Sequence, residues 1–308
     1  MVQKDNIKNK LIIICGPTAS GKTALAVELA KLLDTEVISA DSMYIYKGLN
    51  IGTAKPSISE MHGVKHHLID VVSAFEEFSV SDYKSLATPI VEDLFSRGKT
   101  PIICGGTGFY INSILYDLSY GKSCANVEAR EKYNHLAKEK GNLYVYNILK
   151  EVDVASAEKI HFNDIKRVIR ALEIYESGQK KSEIKDDITP KYDYVAYSYD
   201  TERSILYDRI NKRVDLMFDN GLIDEVENLI KNNVSIENQC MQGIGYKEVV
   251  EYLSGKISHS ECSEKIKLNT RHYAKRQITF FKRLQNLKFL KYIDAKEDAK
   301  RIIEEYDR

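Results

Sequence analysis

Three features of the sequence predict an α/β fold, a parallel-sheet core interrupted by an all-helical insertion. Short apolar runs alternate with helical patterns through the first third of the chain, which is the signature of strands joined by crossover helices. From about Leu118 to Lys191 only helical periodicity remains, and a strand pattern returns at Tyr192–Tyr199. The expected domains are a first core segment at 1–118, an inserted helical domain at 119–191, and a second core segment at 192–308 with a basic helical C-terminal region. A length of 308 residues, beyond the usual size of one domain, fits a core with an insertion.

In order, Leu11–Cys15, Glu36–Ala40, Leu68–Val72 and Pro101–Cys104 read as strands, and Ala24–Leu33 and Ser81–Ser96 as helices. Leu25, Leu29, Leu32 and Leu33 share one stripe of the first helix, as packing on a sheet requires. Pro89 is expected to kink or interrupt the second. Within the insertion, Ile165, Val168, Ile169, Leu172 and Tyr175 recur at helical spacing, started by Asn163 or Asp164 and stopped by Gly178. Lys166, Arg167 and Arg170 lie opposite that stripe, so they should point to solvent or to a partner. After Tyr192–Tyr199 the pattern predicts a capped helix from Thr201, further helices, and a last strand at Leu287–Ile293.

Composition excludes several function classes. Hydrophobic residues at 43% and charged residues at 29%, with 20 Tyr and 9 Phe, rule out a long disordered chain. The longest apolar runs, such as Leu11–Cys15, are about a quarter of the ~20 residues that cross a bilayer. The charged Met1–Lys10 is followed by too short an apolar run for a signal peptide, so a cytoplasmic location without membrane contact is expected. Cys15, Cys104, Cys124, Cys240 and Cys262 are too far apart for a local zinc site and read as reduced thiols. His62, His66 and His67 lack a carboxylate or cysteine at ligand spacing. Forty-five basic residues balance forty-five acidic ones, so any polyanion site must be local. One candidate is Lys265–Lys291, with nine Lys or Arg and no Asp or Glu. There Arg271, Lys275 and Lys282 fall on one helical face with His272, Tyr273 and Phe280 interleaved, either a footprint for nucleic-acid phosphates or a solvated basic face.

The first strand runs into Gly-Pro-Thr-Ala-Ser-Gly-Lys-Thr, residues 16–23, and then a helix. This G-x-x-x-x-G-K-T pattern lets backbone N–H groups curl around a phosphate at a helix N-terminus, with Lys22 as the point charge and Thr23 as a magnesium ligand. The core is therefore expected to be P-loop NTPase-like. A kinase, an ATPase and a diphosphate-releasing transferase would all use such a loop. Asp41, at the end of the second strand, is placed where open α/β sheets bind ligands; it reads as a cap for a short helix, a general base or a metal-bound carboxylate. Thr107, in a Gly-Gly-Thr-Gly turn, reads as a helix N-cap or as a ligand-facing group, with the glycines allowing a ligand close to the backbone. Tyr192, Tyr194, Tyr197 and Tyr199 are expected to pack a strand.

Gly16–Thr23 together with Ala40–Pro56 resembles the tRNA dimethylallyltransferase family, bacterial type. So do, in the family's order, His66–Asp70, Gly105–Gly108, Lys166-Arg167 with Arg170–Glu173, Asp208–Ile210 with Arg213, Gln242–Lys247 and Ala274–Thr279. The resemblance implies transfer of a dimethylallyl group from dimethylallyl diphosphate to the exocyclic amine of the adenosine 3′-adjacent to the anticodon, with Mg2+ as cofactor. It implies that Asp41 takes the amine proton and that Thr107 lies beside the target adenosine. Gly16, Pro17, Thr18, Ala19, Ser20, Gly21, Lys22, Thr23 and Arg213 would hold the diphosphate. The expected tRNA contacts are Asp41, Ser42, Met43, Tyr44, Thr107, Arg130, Lys166, Arg167, Arg170, Gln242 and Lys247, joined by the basic face of Arg271, Lys275 and Lys282. The partners would be a tRNA anticodon stem-loop and dimethylallyl diphosphate, the target base being flipped into a protein that acts as a monomer. Competing readings are a nucleotide or small-molecule kinase using ATP, a prenyltransferase for free adenine nucleotides, and a non-enzymatic RNA-binding module.

Overall fold

The computed structural model describes residues 10–118, 126–184 and 187–306. Cys124, the charged N-terminal residues before Lys10 and the expected boundary at 118/119 lie at or outside the edges of these segments. The chain forms two compact units, one of Met1–Leu115 with Pro190–Arg308 and one of Tyr116–Thr189.

The first unit is built on a six-stranded sheet. Its first strand β1 (Leu11–Cys15) is wholly buried, as a five-residue apolar run in the centre of a parallel sheet must be. Helix α1 (Lys22–Leu33) turns Leu25 and Leu29 onto the sheet. Next come β2 (Val37–Ser39), the short α2 (Ile58–Met61), β3 (His66–His67), α3 (Val80–Ser96), β4 (Ile102–Gly105) and α4 (Gly108–Leu115). In the second unit, β5 (Tyr116–Asp117) precedes α5 (Val127–Lys140), α6 (Asn142–Val152), α7 (Val154–Ala157), α8 (Ile165–Glu176) and β6 (Asp187–Pro190). The chain returns through β7 (Tyr194–Tyr199), α9 (Arg203–Asp219), α10 (Leu222–Lys231), α11 (Tyr246–Leu253), α12 (His259–Phe281), β8 (Leu287–Leu290) and α13 (Ala295–Tyr306). The sheet order is β3-β2-β4-β1-β7-β8, all pairs parallel, with Ile12 opposite both Ile102 and Val195.

Five expectations need correction. Helix α3 continues through Pro89 without a break, because Pro89 and Ser85, whose carbonyl the proline cannot pair, both face solvent. Leu68–Val72 is not a sheet strand: Leu68 and Asp70 have φ of 60° and 55°, and Val72 bridges Tyr46 instead. The last strand ends at Leu290. Helix α9 starts at Arg203 with no side-chain cap, and the Thr201 hydroxyl is buried without a partner. The inserted region is not purely helical, since β5 and β6 form a two-stranded sheet.

The second unit has its own core. Val145, Leu149, Val168 and Leu172 are fully buried and pack with Tyr133 and Ile160. Asp164 stands at the N-cap of α8, and Gly178 follows the helix with φ 89°. Glu173 is buried in this unit, 1% exposed, and is held by Arg130 at 2.7 Å and Arg170 at 3.1 Å. Arg170 therefore does not simply point to solvent as its place opposite the stripe implied. Lys166 and Arg167 are exposed.

Candidate active site

The strands β1, β2 and β4 all end at the same edge of the sheet, and the candidate residues follow directly from those ends. Between β1 and α1 the chain makes a loop whose Gly16, Ala19 and Gly21 take φ of 138°, 62° and 90°. Such left-handed positions curl successive N–H groups to one side. Gly16 also has no room for a side chain, since a Cβ would lie 2.7 Å from Ser198 Oγ. Lys22 donates from Nζ to the Pro17 carbonyl at 3.2 Å, and burial, the largest influence, pulls its ammonium below the ordinary lysine range. Inside the loop the Ser20 hydroxyl is buried and has no hydrogen-bond partner. Thr23 lines the cavity outside the loop.

Gln277, on α12, was not among the expected site residues, and it locks the loop in place. Its Oε1 accepts from Thr18 N at 2.9 Å and its Nε2 donates to Gly106 O at 3.0 Å. A buried glutamine in a basic helix gives no periodic or motif signal beyond its place in the Ala274–Thr279 segment. The same contact accounts for Gly106: a Cβ there would sit 2.1 Å from Gln277 Nε2. At Gly105 a Cβ would meet the Ala40 carbonyl at 2.1 Å, and at Gly108 the Phe280 ring at 2.1 Å. These three glycines make room for the protein's own β2 end and α12.

Asp41 follows β2 and is half-buried; its Oδ1 accepts from Met43 N at 3.0 Å. Thr107 Oγ1 accepts from Ser42 N at 3.0 Å, while the Thr107 amide donates to Ala40 O, so the threonine ties the ends of β2 and β4 together. Its side chain is not spent on capping α4. Tyr44 donates to Ala54 O at 2.9 Å, and burial raises its phenol. Tyr273 is pushed up to about 12 by burial, with the Asp41 charge adding to the effect.

Arg213, on α9, donates to Thr18 Oγ1 at 3.2 Å and to Ala54 O at 2.9 Å. It stands between two cavities. One, of about 660 Å³, is lined by Lys22, Thr23, Tyr44, Lys55 and Arg213. The other, of about 350 Å³, is lined by Asp41, Ser42, Met43, Arg213, Gln242 and Lys247. Tyr273, Arg276 and Gln277 of α12 complete the second cavity's wall.

A second unforeseen residue is Glu225. Its carboxylate accepts from the amides of Asn50 and Ile51 at 2.8 Å and of Gly52 at 3.0 Å, and from Tyr246 OH at 2.6 Å. That clamp fixes the segment whose Asn50, Ile51 and Ala54 line the larger cavity and whose Gly52 and Thr53 line the smaller. Lys55 is engaged elsewhere, with Asp70 at 2.5 Å and the Tyr46 carbonyl at 2.7 Å.

The acid-free run Lys265–Lys291 is partly neutralised in three dimensions. Lys265 pairs with Glu251, Lys267 with Asp215, and Lys288 with Glu305. Arg271 donates to Asn211 Oδ1 at 2.7 Å and is half-buried, so it does not share the full exposure of Lys275 and Lys282. His67 is bonded to Glu36 at 2.6 Å and His66 to the Val64 carbonyl at 2.9 Å, and among the described residues no three His, Cys, Asp or Glu converge as a metal site. Cys15, Cys104, Cys240 and Cys262 are buried free thiols. No helix of the described residues is long and apolar enough to cross a membrane.

A glycine-rich loop at the C-terminal edge of a parallel sheet, beside two cavities that both border Arg213 and one of which holds a carboxylate, places the protein in the P-loop-like α/β class. Known proteins are consistent with it. Residues 44–284 match the model of the IPP transferase family. A tRNA dimethylallyltransferase of Acetivibrio thermocellus is 46% identical over 95% of both chains, and one of Thermoanaerobacter sp. is 48% identical over 96% of this chain and 97% of its own. Among solved structures, the tRNA isopentenylpyrophosphate transferase of Bacillus halodurans has a TM-score of 0.71 at 39% identity, covering 96% of this chain and 95% of its own. A eukaryotic dimethylallyltransferase acting on tRNA has a TM-score of 0.77 at 32% identity, covering 92% and 74%. The chain belongs to the tRNA dimethylallyltransferase family. That membership favours the transferase over the kinase and the free-nucleotide prenyltransferase.

Proposed function

We propose that this enzyme transfers a dimethylallyl group from dimethylallyl diphosphate to the N6 amine of the adenosine 3′-adjacent to the anticodon of tRNA, releasing diphosphate. The observation that carries the reading is the pair of cavities sharing Arg213, one beside the phosphate loop and the other lined by Asp41. A donor diphosphate fits the first and a flipped adenine the second, with the transferred carbon passing between them.

In the reaction, the C–O bond to diphosphate breaks as the N6–C bond forms, and the amine loses a proton. An adenine amine is a weak nucleophile because its lone pair is delocalised, so a carboxylate that takes the proton as the bond forms lowers the barrier. Asp41 is the candidate: Oδ1 is held by the Met43 amide, and Oδ2 has no hydrogen-bond partner among the described residues. Lys22, Arg213 and the loop amides would neutralise charge growing on the leaving diphosphate. Residues 16–23 form the diphosphate cradle in this reading. Magnesium suits the same place, since it is bound by few protein groups together with phosphate oxygens and water. Thr23 is the ligand the chain would supply, and the ion would add positive charge beside the leaving group. The buried, unpartnered Ser20 hydroxyl supports a loop shaped around a further polar group.

Contacts to the anticodon stem-loop are assigned to the rim of the smaller cavity, with Ser42, Met43, Gln242 and Lys247, and to the exposed Lys275 and Lys282 of α12. In the 119–191 insertion, Lys166 and Arg167 are the exposed candidates, while Arg130 and Arg170 would reach RNA only from their places beside Glu173. The reading includes a monomer acting in the cytoplasm. Diphosphate release with dimethylallyl diphosphate and magnesium tests it: release should require tRNA. Phosphoryl transfer from ATP to a small acceptor, without tRNA-dependent diphosphate release, would overturn it.

A further inference from the structure

Among the described residues, two side chains of α9 line both cavities, Arg213 and Met217. They stand at i and i+4, roughly 6 Å apart along the axis, and so share one face of the helix. Arg213 is already engaged, donating to Thr18 Oγ1 and to the Ala54 carbonyl. Met217 is half-buried and brings a flexible, unbranched apolar side chain to the same boundary. Apolar neighbours continue from it in both directions. Ile51 and the exposed Leu216 line the cavity beside the phosphate loop, and Ile210 and Val214 line the cavity of Asp41.

We propose that Met217 sets the length of the prenyl group this enzyme accepts. This rests on the function proposed above. During transfer the allylic carbon has the leaving diphosphate on one side and the N6 amine on the other, so the hydrocarbon attached to it must lie where both cavities are within reach. Of the two side chains at that boundary, the cation belongs with the diphosphate and the methionine meets the hydrocarbon. Five carbons end against it. A ten-carbon donor has its head held by the same loop and its first carbon aimed at the same amine, so its extra carbons would have to pass Met217 towards Ile51 and Leu216. Selection is then by space and not by charge: the added length overpacks a filled site, and the donor cannot back away without leaving the loop.

The test uses the full chain, a synthetic anticodon stem-loop RNA, and two donors, dimethylallyl diphosphate and its ten-carbon homologue geranyl diphosphate, with the mass gained by the RNA reporting which group was transferred. Wild-type protein must first transfer dimethylallyl; if it does not, the function proposed above fails. Given transfer, Met217→Ala should raise the kcat/KM ratio of geranyl over dimethylallyl donor by roughly 10- to 200-fold, with inhibition by inorganic diphosphate and RNA affinity as in wild type. Met217→Leu, of similar volume, should keep the wild-type ratio. Met217→Phe, which adds bulk at the same place, should cut dimethylallyl transfer while inorganic diphosphate still inhibits as in wild type, an arm that stands even if the alanine variant does not fold. Equal use of both donors by wild type, an unchanged ratio in Met217→Ala, or undiminished transfer by Met217→Phe would overturn the proposal while leaving the function intact.

Discussion

Asp41 holds one backbone amide and keeps one carboxylate oxygen without a hydrogen-bond partner among the described residues, so its two candidate roles can be separated at the level of a single atom. Asp41→Asn preserves an oxygen for the Met43 amide and removes the base. Turnover should then fall roughly 10²- to 10⁴-fold, with thermal stability and RNA affinity close to wild type. Single-turnover chemistry near the wild-type rate in this variant would reduce Asp41 to a cap. Arg213 differs, since it borders both cavities and touches Thr18 and Ala54. Arg213→Ala should raise the KM for dimethylallyl diphosphate and lower turnover together, which initial-rate kinetics at varied donor would show. Of these residues, the phosphate loop, Asp41, Thr107 and Arg213 were legible in the sequence. Local spacing exposes a loop motif, and family resemblance exposes the others. Gln277 and Glu225 were not legible, because each acts through a partner more than 150 positions away that no local pattern records.

The strand and helix elements were most legible where one physical demand dominated. β1 was read to its end residues because a fully buried central strand must be continuously apolar. α3 is not interrupted at Pro89, one of the two outcomes expected there: the sequence shows the missing donor but not that the orphaned Ser85 carbonyl faces water. The turn after β4 was recognised as glycine-rich, yet its reason is packing. Gly105→Ala should therefore destabilise by about 1–3 kcal/mol or more, measured by chemical denaturation, since the obstructing Ala40 carbonyl is backbone and cannot swing aside. On α10, Glu225→Ala should loosen the 50–52 segment and raise the KM for the donor more than it weakens RNA binding; equal effects on both would mean a general loss of folding. At the base of β2, Glu36 is held down to about 2, chiefly by the Arg97 guanidinium, with His67 and Lys65 adding to it. A carboxyl lowered on folding contributes stability that is full above its ordinary value of 4.5 and is lost as pH falls towards 2. Glu36→Gln should flatten the fall in unfolding free energy across that window.

Across the whole molecule the net charge is zero, so RNA affinity must come from where the charges sit. Folding brings acids onto Lys265, Lys267 and Lys288, while Lys275 and Lys282 are exposed, as are Arg276, Arg283 and Lys291. Neutralising Lys275 or Lys282 should lower the magnitude of the log-affinity against log-salt slope by about 0.7 to 1, whichever substrate tRNA is used. An unchanged slope in both variants would make this face a solvated one. Chemistry on RNA is read most plainly in the mass and fragment map of tRNA after incubation with the protein, magnesium and dimethylallyl diphosphate. The tRNA should gain one dimethylallyl group, on the adenosine 3′-adjacent to the anticodon. Unmodified tRNA, or the group found on another nucleotide, would contradict it.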